Sequence, residues 1–210
     1  MNAREKILGR IRSAQTESSA PAISSHLAQH PRGPMPPAPK DLLAQFKERA
    51  LKLSSDVLET SDKLEVPALL ANYLNERKLP VNGVCWPSLS GLPWSAVGLD
   101  MQSRPAKNHD LVGVTGAFCA IAETGTLMML SGPDTPATTS LLPETHVAVL
   151  DPRRIVATME DAWELMRSEY RQPPRAVNFI SGPSRTADIE QTVTLGAHGP
   201  YRVLIILAPG

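Results

Sequence analysis

Three apolar runs in the second half of the chain lack the alternation of a strand with one wet face. They are residues 126–130 (Thr-Leu-Met-Met-Leu), 146–150 (His-Val-Ala-Val-Leu) and 202–207 (Arg-Val-Leu-Ile-Ile-Leu). Backbone that is apolar on both sides must be covered on both sides, so these runs demand a sheet buried between two layers. Shorter runs at 57–60, 81–86, 111–115 and 176–180 read as further strands. Helical segments lie between them. Asp41 to Leu53 sets Leu42, Leu43, Phe46, Ala50 and Leu53 on one stripe. Pro67 opens a helix through Arg77, where its missing N–H is harmless. Thr158 to Arg171 carries Thr158 and Asp161 at capping-box spacing. Strands separated by helices favour parallel crossovers. The expected fold class is α/β, a three-layer α/β/α sandwich with a mainly parallel sheet.

The first forty residues read differently. Asn2 to Arg12 fits a short helix, with Asn2 and Glu5 spaced as a capping box and Ile7, Leu8 and Ile11 on one face. Ser13 to Lys40 is rich in Ser, Ala and Pro, and Pro31, Pro34, Pro36, Pro37 and Pro39 deny it a helix. It reads as an extended arm that wraps its own domain or joins copies into a homo-oligomer. The organisation is then 1–40, an N-terminal helix and Pro-rich arm, and 41–210, a domain with one sizeable core. Ser88 to Asn108 reads as irregular, broken by Gly91, Pro93, Gly98 and Pro105.

Charge and cysteine content narrow the function classes. The 21 basic and 21 acidic side chains balance, which argues against a nucleic-acid surface. The longest apolar runs are too short to span a bilayer, and the N-terminus lacks a secretory apolar region, so a cytoplasmic location is expected. Cys85 and Cys119 are too few and too far apart for a Cys-x-x-Cys metal or iron–sulfur signature. They read as two buried thiols against the alternative of a redox or nucleophilic role. No histidine spacing suggests a metal, and no cofactor is expected in this chain.

One chain stop occurs twice. Met129-Leu130-Ser131-Gly132-Pro133-Asp134 and Phe179-Ile180-Ser181-Gly182-Pro183-Ser184 both end an apolar run in Ser-Gly-Pro. Ligands bind beyond the carboxyl ends of strands in open α/β sheets, so both loops are expected there. The second copy continues through Ser184-Arg185-Thr186 into what reads as a helix start. With Ser181, Gly182 and the Arg185 guanidinium, it would cradle a phosphate or carboxylate. The plainer alternative is a helix cap with Arg185 paired to Asp188 or Glu190. The first copy, with Ser131, Asp134 and Pro136, reads as a rigid wall. Between the apolar segments, Glu123-Thr124-Gly125-Thr126 sets a carboxylate beside two hydroxyls. Glu123 is the candidate catalytic acid, base or nucleophile, or else a structural carboxylate in a tight turn. His146 and His198 are candidate ligand-binding residues, or structural histidines.

Taken in order, these motifs resemble the lactate utilization protein C family (LutC/YkgG). The resemblance rests on Thr115 through Thr126, on Ser131-Gly132-Pro133-Asp134-Thr135-Pro136 with Leu142-Pro143-Glu144-Thr145-His146, and on Ser181 through Glu190 with Gly196-Ala197-His198-Gly199-Pro200. It is dense over roughly the last hundred residues. The resemblance implies a LUD domain with the fold shared by glucosamine-phosphate isomerase, ribose-phosphate isomerase and CoA-transferases (NagB/RpiA/CoA transferase-like). It also implies a part in oxidising L-lactate to pyruvate beside iron–sulfur partner proteins, which would carry the clusters. The chain would then be an accessory or ligand-binding subunit. The alternative is an independent enzyme or binding protein for a small carboxylate or phosphorylated ligand, with Thr124, Gly125, Thr126, Ser131, Ser181, Gly182, Ser184, Arg185, Thr186, His146 and His198 as the binding set.

Overall fold

The computed structural model describes residues 3–14, 20–29, 33, 37, 39–187, 193–196 and 198–210. The chain divides into two compact units, Met1–Pro37 and Ala38–Gly210. The first holds helices α1 (Ala3–Ala14) and α2 (Ala20–Gln29). Helix α2 corrects the expectation of an extended arm. Pro21 occupies its first turn, where proline is tolerated, and the next prolines lie beyond its end. The expected Asn2 cap lies outside the described residues.

The second unit is built on six parallel strands. They are β1 (Asp56–Glu59), β2 (Asn82–Cys85), β3 (Asp100–Ser103), β4 (Val112–Gly116), β7 (Thr145–Leu150) and β12 (Arg202–Leu207), in the order β1-β12-β7-β4-β2-β3. Helix α3 (Leu42–Lys52), capped by Asp41 accepting from Ala44 N, covers one face with Phe46 and Ala50. Helix α4 (Val66–Glu76) covers the other with Val66, Leu70 and Leu74. The missing alternation follows directly. Val147, Val149, Leu204 and Ile206 face α4, while Ala148, Leu150, Val203, Ile205 and Leu207 face α3. Each such fully buried large side chain contributes about 1.5–3 kcal/mol. Strand β3 emerges from the stretch read as irregular. It is a mostly exposed edge strand, so no apolar run announces it.

A second sheet lies over the α3 face. It comprises β5 (Cys119–Ile121), β6 (Thr126–Leu130), β8 (Ile155–Val156) and β9 (Val177–Ile180), in the order β8-β5-β6-β9. Strand β6 is antiparallel to both its neighbours. Ala120, Ala122, Leu127 and Met129 pack toward the parallel sheet. Cys119, Ile121, Met128 and Leu130 pack toward helix α6 (Met159–Glu169), whose Thr158–Asp161 capping box forms as its spacing predicts. The run 126–130 is therefore apolar throughout because β6 is covered on both faces, although its sheet is not parallel. A short helix α5 (Thr138–Leu141) lies between β6 and β7. An antiparallel ribbon, β10 (Arg185–Ala187) with β11 (Val193–Leu195), precedes β12. Among the described residues no helix is long and apolar enough to cross a membrane.

Candidate functional site

The two Ser-Gly-Pro loops do not converge. Leu130 pairs with Val177 and Leu127 with Ile180, so antiparallel β6 and β9 release their loops at opposite ends of the pair, with about 10 Å of strand between. Neither preceding strand belongs to the parallel sheet. The first loop still reaches that sheet's carboxyl ends, beside Trp86 and Gly116, whereas the second lies against the end of α3, which corrects the expectation that both loops sit at the carboxyl edge. At its own end, Ser131 holds the start of β9. Its N–H donates to Ala176 O at 3.0 Å, and its hydroxyl accepts from Ala176 N at 2.8 Å.

The second loop meets the Glu123–Thr126 turn instead. Thr126 Oγ1, 3% exposed as a residue, lies 2.7 Å from Ser181 Oγ and accepts from Thr124 Oγ1 at 2.8 Å. Gly125 and Gly182 both have positive φ and both lie against the C-terminal turn of α3. A Cβ on Gly125 would stand 2.5 Å from Ala50 N, and one on Gly182 2.3 Å from Leu53 O. The Arg185 guanidinium donates to Leu53 O at 3.2 Å and to Ser54 Oγ. It thus serves the carbonyl end of α3, where cations are favoured. Where a helix start is expected after Ser184, residues Arg185–Ala187 form strand β10, and the rest of the expected helix lies outside the described residues. Thr186 pairs with Thr194 in the ribbon. Ser184 N donates to Pro200 O, and Ser184 O accepts from Gly196 N, both at 2.9 Å, which sets this loop beside the turn carrying exposed His198. Glu123 is half-buried; its N–H donates to Ala157 O at 3.0 Å, and its carboxylate has no hydrogen-bond or ion-pair partner among the described residues. The structure therefore gathers Glu123, Thr124, Gly125, Thr126, Ser181, Gly182 and Arg185 around the end of α3, and leaves Ser131 and His146 elsewhere.

His146 sits inside the parallel sheet with no exposed surface. Its Nε2 lies 2.8 Å from Thr115 Oγ1 on the neighbouring strand, and its Nδ1 has no partner among the described residues. Burial pushes the imidazole down to about 4, so it is neutral at pH 7. Burial likewise pushes the Cys119 thiol up to about 12 and raises that of Cys85, leaving both poor nucleophiles.

The open crevice lies elsewhere. In the order β1-β12-β7-β4-β2-β3 the chain runs outward from β2 to β3, then returns to the other side of β2 for β4. Strand order reverses between β2 and β4, and a crevice at the carboxyl ends follows from such a reversal. A cavity of about 400 Å³ opens there. Trp86 and Ser88 come from the exit of β2, and Gly116, Ala117 and Phe118 from that of β4. The first Ser-Gly-Pro loop, Ser131 to Thr135, and Tyr170 close it. Of the residues expected at a site, Ser131 alone lines this crevice among the described residues. The aromatic residues were missed because only the strand order, set by the concealed β3, shows that 86–88 and 116–118 are neighbours. Among the described residues no group of three or more His, Cys, Asp or Glu is placed to hold a metal ion.

This arrangement can be compared with known proteins. The LUD domain family model matches residues 99–208, half of the chain, from β3 to the end of β12. The chain belongs to the LUD domain family. An uncharacterized protein of Neisseria meningitidis serogroup B is 46% identical over 96 residues, which are 46% of this chain and 41% of that protein. A protein of an Exiguobacterium species named "Lactate utilization protein C" is 32% identical over 184 residues, covering 80% of this chain and 78% of its own length. One of the same name from Deinococcus radiodurans is 32% identical, covering 83% and 82%. Several curated relatives are matched over only about half their length or less. A crystal structure of a DUF162 family protein from Deinococcus radiodurans covers 82% of this chain and 99% of its own, with a TM-score of 0.61 and 24% identity, and shows the same fold. In this LUD domain protein the crevice straddles the matched region, since Trp86 and Ser88 precede Leu99.

Proposed function

We propose that this LUD domain protein is a component of the L-lactate utilization system and takes part in oxidising L-lactate to pyruvate beside iron–sulfur partner proteins. The reading is carried by relatives named "Lactate utilization protein C" at 32% identity over four fifths of the chain. Oxidising lactate to pyruvate removes two electrons and two protons, so the system needs an electron acceptor. The chain has two cysteines, buried in different sheets, whereas an iron–sulfur cluster is commonly held by four thiolates. Cluster-bearing partners would therefore carry the electrons, and this chain would bind a ligand or organise the assembly. In a cell grown on L-lactate, removing the chain should abolish growth, and the tagged chain should co-purify with proteins containing iron and acid-labile sulfide. Partners that oxidise lactate unaided, while this chain purifies alone, overturn the reading.

The crevice at the strand-order reversal favours a second reading, a binding protein or enzyme acting on a small molecule by itself. A ligand held there raises the melting temperature by mass action. Screening L-lactate, pyruvate, CoA, sugar phosphates and neutral nitrogen heterocycles by thermal shift tests it, and a flat response across all of them overturns it.

A further inference from the structure

We infer that the crevice between the ends of β2 and β4 takes a flat, fused nitrogen heterocycle with an N–H edge, of the purine or isoalloxazine kind. The inference rests on reading this crevice as the ligand site. Its lining includes three aromatic rings, those of Trp86, Phe118 and Tyr170. The Trp86 indole is 5% exposed and donates its N–H to Pro136 O at 3.2 Å. The Phe118 ring has the Arg154 guanidinium 4.6 Å over its centroid and meets Tyr170 edge-on at 5.9 Å. Rings held this way offer stacking surface with little side-chain entropy left to lose.

The surface between the rings is small. Gly116 and Ala117 lie together at the exit of β4, with Gly132 in the opposing loop. A Cβ on Gly116 would stand 3.8 Å from the Trp86 ring, so glycine keeps the space before the indole open. The cavity's volume of about 400 Å³ is in the range of small-molecule sites.

Charge selects the ligand class. Among the described residues the lining holds no Lys, Arg or His. The neighbouring cation, Arg154, is tied to Glu169 by hydrogen bonds of 2.9 and 3.1 Å. Asp134 and Ser88 line the crevice, and neither side chain has a partner among the described residues. A lone carboxylate or phosphate would meet an acid here and no free cation. An N–H donor edge would find a carboxylate acceptor, which makes a charge-assisted hydrogen bond. A rounded cation such as a quaternary ammonium would also be drawn to aromatic rings and Asp134. It would, however, sit close to the Arg154 charge on Phe118, which a neutral ring does not oppose.

Calorimetric titration of the full chain with guanosine and with riboflavin tests the inference. Saturable binding of at least one is expected. Asp134→Ala, in an exposed turn, should weaken it about tenfold or more, as losing a hydrogen bond to a charged group does. Gly116→Val, checked by its melting curve for folding, should abolish it by filling the space before the Trp86 indole. Three results overturn the inference: neither ring binds, binding is unchanged in Asp134→Ala, or tetramethylammonium or L-lactate displaces the ring. These titrations are independent of growth on lactate. A lost growth phenotype with no ring binding overturns the inference alone, and ring binding without a growth phenotype overturns the proposed function alone.

Discussion

The hydroxyls of Thr126 and Ser181 meet at 2.7 Å, and this bond joins the turn between β5 and β6 to the exit of β9. Thr124 donates into the same oxygen of Thr126 from the other side. Thr126→Val keeps the shape but leaves the Ser181 hydroxyl without this partner. A loss of about 1 kcal/mol in unfolding free energy is expected from denaturant titration. Adding Ser181→Ala should cost little more, because the bond is already gone. A double-mutant cycle measures this, and strict additivity would show that the two hydroxyls act separately.

Gly125 and Gly182 press on one helix end from two loops. Each has positive φ, and each would drive a Cβ into backbone atoms of the last turn of α3. Backbone cannot yield as a flexible side chain can. Gly125→Ala and Gly182→Ala should each destabilise by about 2 kcal/mol or more. Because both displace α3, the double variant should lose less than the sum, which thermal melts of the three variants would reveal.

Arg185 stabilises that same helix end. Ser54 there has φ 66°, the left-handed conformation that closes a helix, and Arg185 reaches the neighbouring Leu53 carbonyl. Arg185→Ala should cost about 0.5–1 kcal/mol. Arg185→Lys should recover part of it, keeping the charge but losing the forked donor. Binding in the crevice should be unchanged in both variants, and the melting temperature together with the titrations reads the two effects separately.

Strands β4, β6, β7 and β12 were legible in the sequence because burial on both faces leaves a direct mark, unbroken apolarity. Their assignment to sheets was not. Strand β6 is as apolar as β12, yet it belongs to the antiparallel layer, since cover from the parallel sheet on one face and α6 on the other leaves the same pattern. Glu123, Thr124, Gly125 and Thr126 and the Ser181–Gly182 loop were visible as motifs. What joins them is the end of α3, over a hundred residues away from Gly182 in sequence, which no local spacing encodes. Ser184-Arg185-Thr186 has the hydroxyls of a helix cap, but Arg185–Ala187 pairs with Val193–Leu195 as a strand.

His146 gives the fold an acid limit that can be read separately from the carboxylates. Its imidazole takes a proton near 6.5 when unfolded and only near 4 when buried in the sheet. Between those values the unfolded chain binds more protons, so stability falls as pH drops through this window, by about 3 kcal/mol across it. The carboxyls of Asp110 and Asp151, held down to about 2 by hydrogen bonds from Arg104 and Arg153, lose their contributions only below about 4. Denaturant midpoints measured from pH 7 to 4 should therefore fall steadily. His146→Gln can keep a bond to Thr115 from the position of Nε2 but cannot titrate, and its stability should be flatter over the same range. Below pH 4 the two proteins should decline in parallel. Equal slopes above pH 4 would mean that the buried imidazole is not the group that titrates.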